Sequence, residues 1–150
     1  MKEVDDPAAV LTVTNAMHCY ALRMDEHDLE GVLELMTDDA DIDYGDFGYY
    51  EGKEEVREFL SGYIEGETGI LDSFHLALNP WVTVDGDTAT GRWHFLGLEE
   101  VEGIGAAWLA GFYTVDFEKQ GDEWFIGKLT YDAKYFSPYS EGWAEEPMAI

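Results

Sequence analysis

The first third of the chain carries apolar residues at helical spacing. Between Val10 and Met24 they recur three or four positions apart, as on the buried face of a helix. Asp6 can cap this segment, and Pro7 suits a first helical position because its missing N–H costs no hydrogen bond there. The pattern predicts a helix from Pro7 to Met24.

Two further helices and one short strand are predicted before residue 65. Asp28 can cap a second helix that runs to about Met36. Ala40 to Tyr44 alternates as a short strand, and the Gly- and Tyr-rich stretch Gly45 to Gly52 is predicted to be a loop. A third helix, about Lys53 to Ile64, would bury one apolar face that includes Tyr63.

From Leu71 the pattern changes to alternation rich in β-branched and aromatic residues, with Gly-containing turns. Two long hairpins are predicted: Ser73–Val84 with Thr88–Glu99, and Ala106–Lys119 with Trp124–Ala133. We therefore expect one α+β domain over residues 1–150, in which three helices cover one face of a curved antiparallel sheet. Residues 134–150 are predicted to be an extension that packs on the open end of this fold or on a partner subunit.

The charged residues affect the expected surface of the protein but not its expected fold. The chain has 33 Asp and Glu against 8 Lys and Arg, a net charge of -25, yet 46% of its residues are hydrophobic, which is too many for a disordered acidic chain. The acidic residues occur in every segment, so we expect an acidic surface suited to a salt-rich cytoplasm, where salt screens the repulsion. Nucleic acids and anionic membranes are excluded as partners because clustered basic residues are lacking.

Several kinds of site and signal are not predicted. Cys19 is the only cysteine, which excludes an intrachain disulfide and a cysteine-based zinc site and fits a reducing cell interior. The four histidines show no metal-ligand spacing, and no phosphate-binding Gly-rich loop is present, so neither a metal nor a cofactor is expected. Met1 to Asp6 is charged and is followed by no signal-peptide core, and no apolar run is long enough to span a membrane.

The order of these elements, with several local motifs, resembles the SnoaL-like domains of the nuclear transport factor 2-like superfamily, which have a cystatin-like fold. The matching residues are Tyr20 and Asp25, Gly52-Lys53, His75 with Asn79-Pro80, Val84 to Ala89, Gly111 to Tyr113, and Trp124. The resemblance implies a cone-shaped α+β barrel around an apolar pocket for a small molecule, and homodimers or higher homo-oligomers formed through the outer sheet face. It also implies a His–Asp pair for proton transfer, with Tyr hydroxyls that orient the substrate.

Three residues are candidates for catalysis. His75 lies in a mostly apolar strand, where an imidazole can transfer protons near neutral pH or can be a core side chain bonded to backbone. The resemblance implies that Asp25 accepts a hydrogen bond from this histidine, although a solvated carboxylate is the ordinary alternative. Tyr20 can contact the substrate or only pack in the core.

Alternation along Thr88–Glu99 leaves two choices for the face that lines the pocket. We expect Trp93, Phe95 and Glu99 to face inward and bind substrate, which turns His94 outward. Tyr113 is expected to bind substrate as well, because it stands where related enzymes have substrate-binding residues.

These residues predict a cofactor-independent lyase or isomerase, with dehydratase-like proton transfer on a small apolar cyclic or polyketide-like substrate. Two alternatives stay open: a non-catalytic ligand-binding or dimeric interaction module, and the accessory subunit of a ring-hydroxylating dioxygenase. A large distance between His75 and Asp25, or a pocket filled by aromatic side chains, would favour a non-catalytic module.

Overall fold

The computed structural model describes residues 6–149, so that Met1–Asp5, part of the charged N-terminal stretch, and Ile150, the last residue of the predicted extension, lie outside the described residues. Its elements are α1 (Pro7–Asp25), α2 (Leu29–Glu34), β1 (Met36–Asp43), a 3₁₀ turn (Gly45–Phe47), β2 (Tyr49–Glu51), α3 (Gly52–Ile64), β3 (Ile70–Asp85), β4 (Thr88–Val101), β5 (Gly105–Gln120) and β6 (Glu123–Pro138).

Both N-terminal helices begin at capping aspartates. The Asp6 carboxylate accepts a hydrogen bond from the backbone N–H of Ala9 at 3.0 Å, and Asp28 accepts one from Gly31 at 3.0 Å. The prediction that the second helix reaches Met36 is wrong. Met36 begins β1 and pairs with Ile126 of β6, so sheet pairing takes over from the helical pattern there.

The segment predicted as a loop from Gly45 to Gly52 contains a short strand. After the 3₁₀ turn, β2 pairs antiparallel with β1, and Ile42 lies opposite Tyr50. Its two tyrosines suit an edge strand. This strand leads directly into α3, and it thereby fixes where that helix crosses the sheet.

The six strands form one curved, unclosed sheet in the order β2-β1-β6-β5-β4-β3. Neighbouring strands are antiparallel except β1 and β6, which are parallel. Beyond the two predicted hairpins, β4 also pairs with β5 along its whole length. Register shifts at Leu78/Trp81 and Ala110/Gly111 interrupt the pairing, and such bulges bend strands.

The helices pack on the concave face of this sheet, with α1 against β3 and α3 against β1. Between the two layers lies the core, which includes Val13 and Met17 from α1 and Leu129 from β6, all fully buried. This arrangement confirms the predicted α+β cone. No helix within residues 6–149 is long and apolar enough to cross a membrane.

The C-terminal residues differ from the predicted extension. β6 continues through Pro138, because Tyr135 and Phe136 pair with β5 as regular strand residues. Only the stretch after Pro138 leaves the sheet. It turns back so that Met148 bridges Phe136, while the Trp143 ring lies 5.9 Å from that of Trp108.

Candidate active site

A cavity of about 420 Å³ opens between the helices and the concave face of the sheet. Most of its wall is aromatic, which makes it apolar with a few hydroxyl groups. Within residues 6–149, no Lys or Arg side chain lines it. The lining residues that carry a polar side-chain group are Tyr20, Tyr44, Tyr50, Tyr63, Thr68, His75, Tyr113 and Tyr131.

Asp25, the last residue of α1, holds His75 of β3 at the wall of this cavity. The distance from His75 Nδ1 to Asp25 Oδ1 is 2.6 Å, and the backbone N–H of His75 donates to both carboxylate oxygens at 2.9 and 3.2 Å. The two side chains are only 7% and 15% exposed. Since a carboxylate can only accept here, we assign the imidazole proton to Nδ1, which leaves Nε2 as the free basic nitrogen.

The Nε2 atom of His75 points towards the hydroxyl of Tyr63 on α3. Its hydroxyl lies 3.3 Å from His75 Nε2, and both rings line the cavity. Burial strongly raises the pKa of Tyr63, so its hydroxyl stays protonated and can donate to Nε2. This contact is the only partner that Nε2 has among the described residues, and a ligand that enters the cavity could replace it.

Two more tyrosines form a hydroxyl pair. The Tyr20 and Tyr44 hydroxyls lie 2.5 Å apart, and burial raises the pKa of Tyr20 to about 12 although its bond to Tyr44 acts in the opposite direction. Burial also raises the pKa of Tyr131, whose hydroxyl has no hydrogen-bond partner among the residues that the structure describes. These phenols are therefore neutral near pH 7, and Tyr131 has a free donor for a ligand oxygen.

Glu99 of β4 is a buried carboxyl group near His75. It is 4% exposed, and neither of its oxygens has a hydrogen-bond partner within the described part of the chain. Burial raises the pKa of Glu99 to about 7; the attraction of His75 opposes this shift, and the carboxylates of Asp25 and Asp72 add to it. A substantial fraction of Glu99 is therefore protonated at neutral pH.

The sequence profile of the SnoaL-like domain family matches residues 7–130, from the start of α1 into β6. The chain belongs to the SnoaL-like domain family. None of the curated proteins matches this SnoaL-like domain significantly in sequence.

Solved structures with the same fold include one named enzyme and two proteins with a proposed activity. A proposed aromatic ring hydroxylase from Novosphingobium aromaticivorans is 26% identical, with a TM-score of 0.73 over 83% of this chain and 87% of that one. LinA-type3 hexachlorocyclohexane dehydrochlorinase from Novosphingobium barchaimii is 20% identical, with a TM-score of 0.80 over 89% and 91%. A proposed scytalone dehydratase from N. aromaticivorans is 18% identical, with a TM-score of 0.77 over 87% of each chain.

The SnoaL-like domain brings most of the predicted site residues together. His75, Tyr20, Phe95 and Tyr113 line the cavity, and Asp25 lies behind His75. His94 is exposed on the opposite side of β4, with its ring 5.1 Å from that of Phe112.

Two predicted substrate contacts face inward without lining the cavity. Trp93 is buried deeper in the core, where its ring lies over Gly91 and 6.2 Å from the Phe117 ring. The Glu99 carboxyl lies over Gly97 and is covered in the same way. In both cases a glycine two residues earlier leaves room for the side chain to lie along the strand instead of standing in the cavity.

Sequence reasoning did not identify Tyr44, Tyr63 and Tyr131 as site residues. Tyr63 was predicted only to help form the buried face of α3, and Tyr44 only to end a strand. Inward alternation with the buried Leu129 could have indicated Tyr131. The hydroxyl contacts of Tyr44 and Tyr63 join distant segments, and no local pattern signals them.

Proposed function

We propose that this protein is a cofactor-independent lyase or isomerase in which His75 removes a proton from a carbon atom of a small uncharged substrate. The observation that carries the proposal is the contact between Asp25 and His75, which leaves Nε2 free at the wall of an apolar cavity. A hydrogen bond from Nδ1 to a carboxylate fixes the ring and stabilises the imidazolium that forms when Nε2 takes a proton.

The lining supports an uncharged, largely apolar substrate of cyclic or polyketide-like type. No basic side chain among the described residues faces the cavity to pair with an anion, and the phenols are neutral donors. A cavity of about 420 Å³ is within the usual range for small-molecule sites. Tyr131 can donate to a substrate oxygen on which negative charge develops as the C–H bond breaks.

A neutral aromatic carbon acid tests this function before the natural substrate is known. In 5-nitrobenzisoxazole, a base removes the ring C–H proton, the N–O bond breaks, and a coloured nitrophenolate with a nitrile group forms. We expect wild-type protein to catalyse this ring opening, and His75→Ala to lose at least about tenfold in kcat/KM, the lower range of general-base contributions. Asp25→Asn is expected to lower kcat more than it raises KM, since Asp25 acts through His75.

His94→Ala is the matched control, because it removes a histidine from the outward face of β4. It should leave the rate unchanged. If His75→Ala is as active as His94→Ala, catalysis by His75 is wrong. If wild-type protein binds the probe without accelerating its ring opening, the result supports a non-catalytic ligand-binding module instead.

A further inference from the structure

Glu99 is a buried carboxyl group near His75 that the proposed reaction does not yet use. It is 4% exposed, and both of its oxygens lack a partner within residues 6–149. A buried carboxylate without hydrogen bonds is costly, whereas the neutral acid costs much less. A carboxyl placed in this way is stable as an acid unless a positive charge forms beside it.

The strand register places this carboxyl beside His75. Gly97 pairs with His75 across β3 and β4, and a methyl group at position 97 would overlap Glu99 Oε1. Facing side chains in such a pair have Cβ atoms roughly 5 Å apart. The carboxyl of Glu99 therefore occupies the space next to His75 that a side chain at Gly97 would otherwise fill.

The other ionisable groups around Glu99 do not offer a competing cation. They are Asp72 and His75 on β3, Asp25 at the end of α1, Tyr63 on α3, Tyr113 on β5 and Tyr131 on β6. The tyrosines are neutral near pH 7, and both aspartates would repel an ionised Glu99. Protonated His75 is thus the only positive charge in this set that would stabilise the carboxylate, and the neutral Tyr63 hydroxyl stabilises it more weakly.

We propose that Glu99 is a positioning residue for the reaction at His75: its carboxyl gives up its proton to solvent as the pH rises, and the resulting carboxylate stabilises the imidazolium that forms when His75 takes a proton from the substrate. The two side chains then hold one proton between them. Ionised Glu99 stabilises the imidazolium from its position beside His75, and it does so without touching the substrate. Only the kinetic part of this inference rests on the proposed function.

Histidine titration by NMR tests the coupling without any substrate. The chain has four histidines, so the imidazole signals of His18, His27 and His94 serve as internal references. In Glu99→Gln, a neutral side chain of similar shape, we expect His75 to lose its proton at a lower pH than in wild type, by roughly half a pH unit or more. Identical titration of His75 in both proteins would overturn the proposal.

The matched control for this titration is Glu100→Gln. Glu100 is the next residue on β4 and is exposed, so its removal changes the net charge equally but leaves the site untouched. A similar shift of His75 in Glu100→Gln would show a general charge effect, and it would also count against a specific role for Glu99.

The rate of the 5-nitrobenzisoxazole reaction tests the consequence for catalysis. At about pH 5.5, where wild-type Glu99 is mostly protonated, wild type and Glu99→Gln should react at similar rates. At about pH 8 wild type should be roughly threefold to tenfold faster in kcat, with little change in KM. A rate ratio that is constant with pH indicates a merely structural role and contradicts the proposal, whereas loss of activity in His75→Ala bears on the proposed function alone.

Discussion

Glu99 also makes a quantitative prediction about stability. Its pKa of about 7 in the folded protein compares with an ordinary value of 4.5, a difference that corresponds to about 3 kcal/mol of folding free energy. Because the folded-state pKa is raised, the protonated acid favours the folded state. This stabilisation is complete below pH 4.5, decreases as the pH rises because the unfolded chain ionises first, and is lost above the folded-state pKa.

Glu99→Gln removes this pH dependence, since glutamine does not titrate. The free energy of unfolding of the variant minus that of wild type should therefore increase by about 3 kcal/mol from pH 4.5 to pH 8. The cost of burying the glutamine amide is the same at both pH values, so it does not affect this change. Urea unfolding followed by Trp fluorescence, in molar potassium chloride at several pH values, measures the difference.

The exposed Glu100→Gln is again the control, and its difference from wild type should not depend on pH in this range. A difference between Glu99→Gln and wild type that is the same at pH 4.5 and pH 8 would refute the reasoning. A constant difference would mean that the Glu99 carboxyl is hydrated or hydrogen-bonded in the folded protein, contrary to the structure.

Three further predictions follow from the surface, the hydroxyl pair and the core. With a net charge of -25, the melting temperature should rise steeply from low salt to molar potassium chloride, where the Debye length falls to about 3 Å; a salt-independent value contradicts this. Tyr44→Phe leaves the buried Tyr20 hydroxyl without its partner and should cost about 1–3 kcal/mol in urea unfolding, unlike Tyr49→Phe on the exposed edge. Leu129→Ala, at a fully buried site, should cost about 2–5 kcal/mol, and a smaller loss would indicate that the core collapses around the cavity.

The sequence predicted most of the fold because the relevant signals are local. Capping by Asp6 and Asp28 depends on neighbouring residues, and the alternation of β4 fixes which of its side chains face inward. Boundaries were less accurate where a distant strand competes with a local pattern. Met36 is such a case, since its pairing with Ile126 of β6 decides against the helix.

The candidate site was predictable only in part, for a related physical reason. Its residues lie on elements that are far apart in the chain, so their types could be recognised but not their contacts. His75 and Asp25 were identified in this way, and their separation of 2.6 Å is a result of how α1 packs on β3. Tyr63 and Tyr131 were missed because nothing near them in sequence distinguishes a site tyrosine from a core tyrosine.

By itself, the sequence determined the class of fold, the acidic composition of the chain and which apolar positions face the interior, all of which follow from periodicity and residue type. Tertiary structure decided which polar groups meet in that interior and in what protonation state. Glu99 shows the difference most clearly. Alternation turns it inward, but only the packed fold covers its carboxyl and places it beside His75 in the space over Gly97. There, neither carboxyl oxygen has a hydrogen-bond partner within residues 6–149.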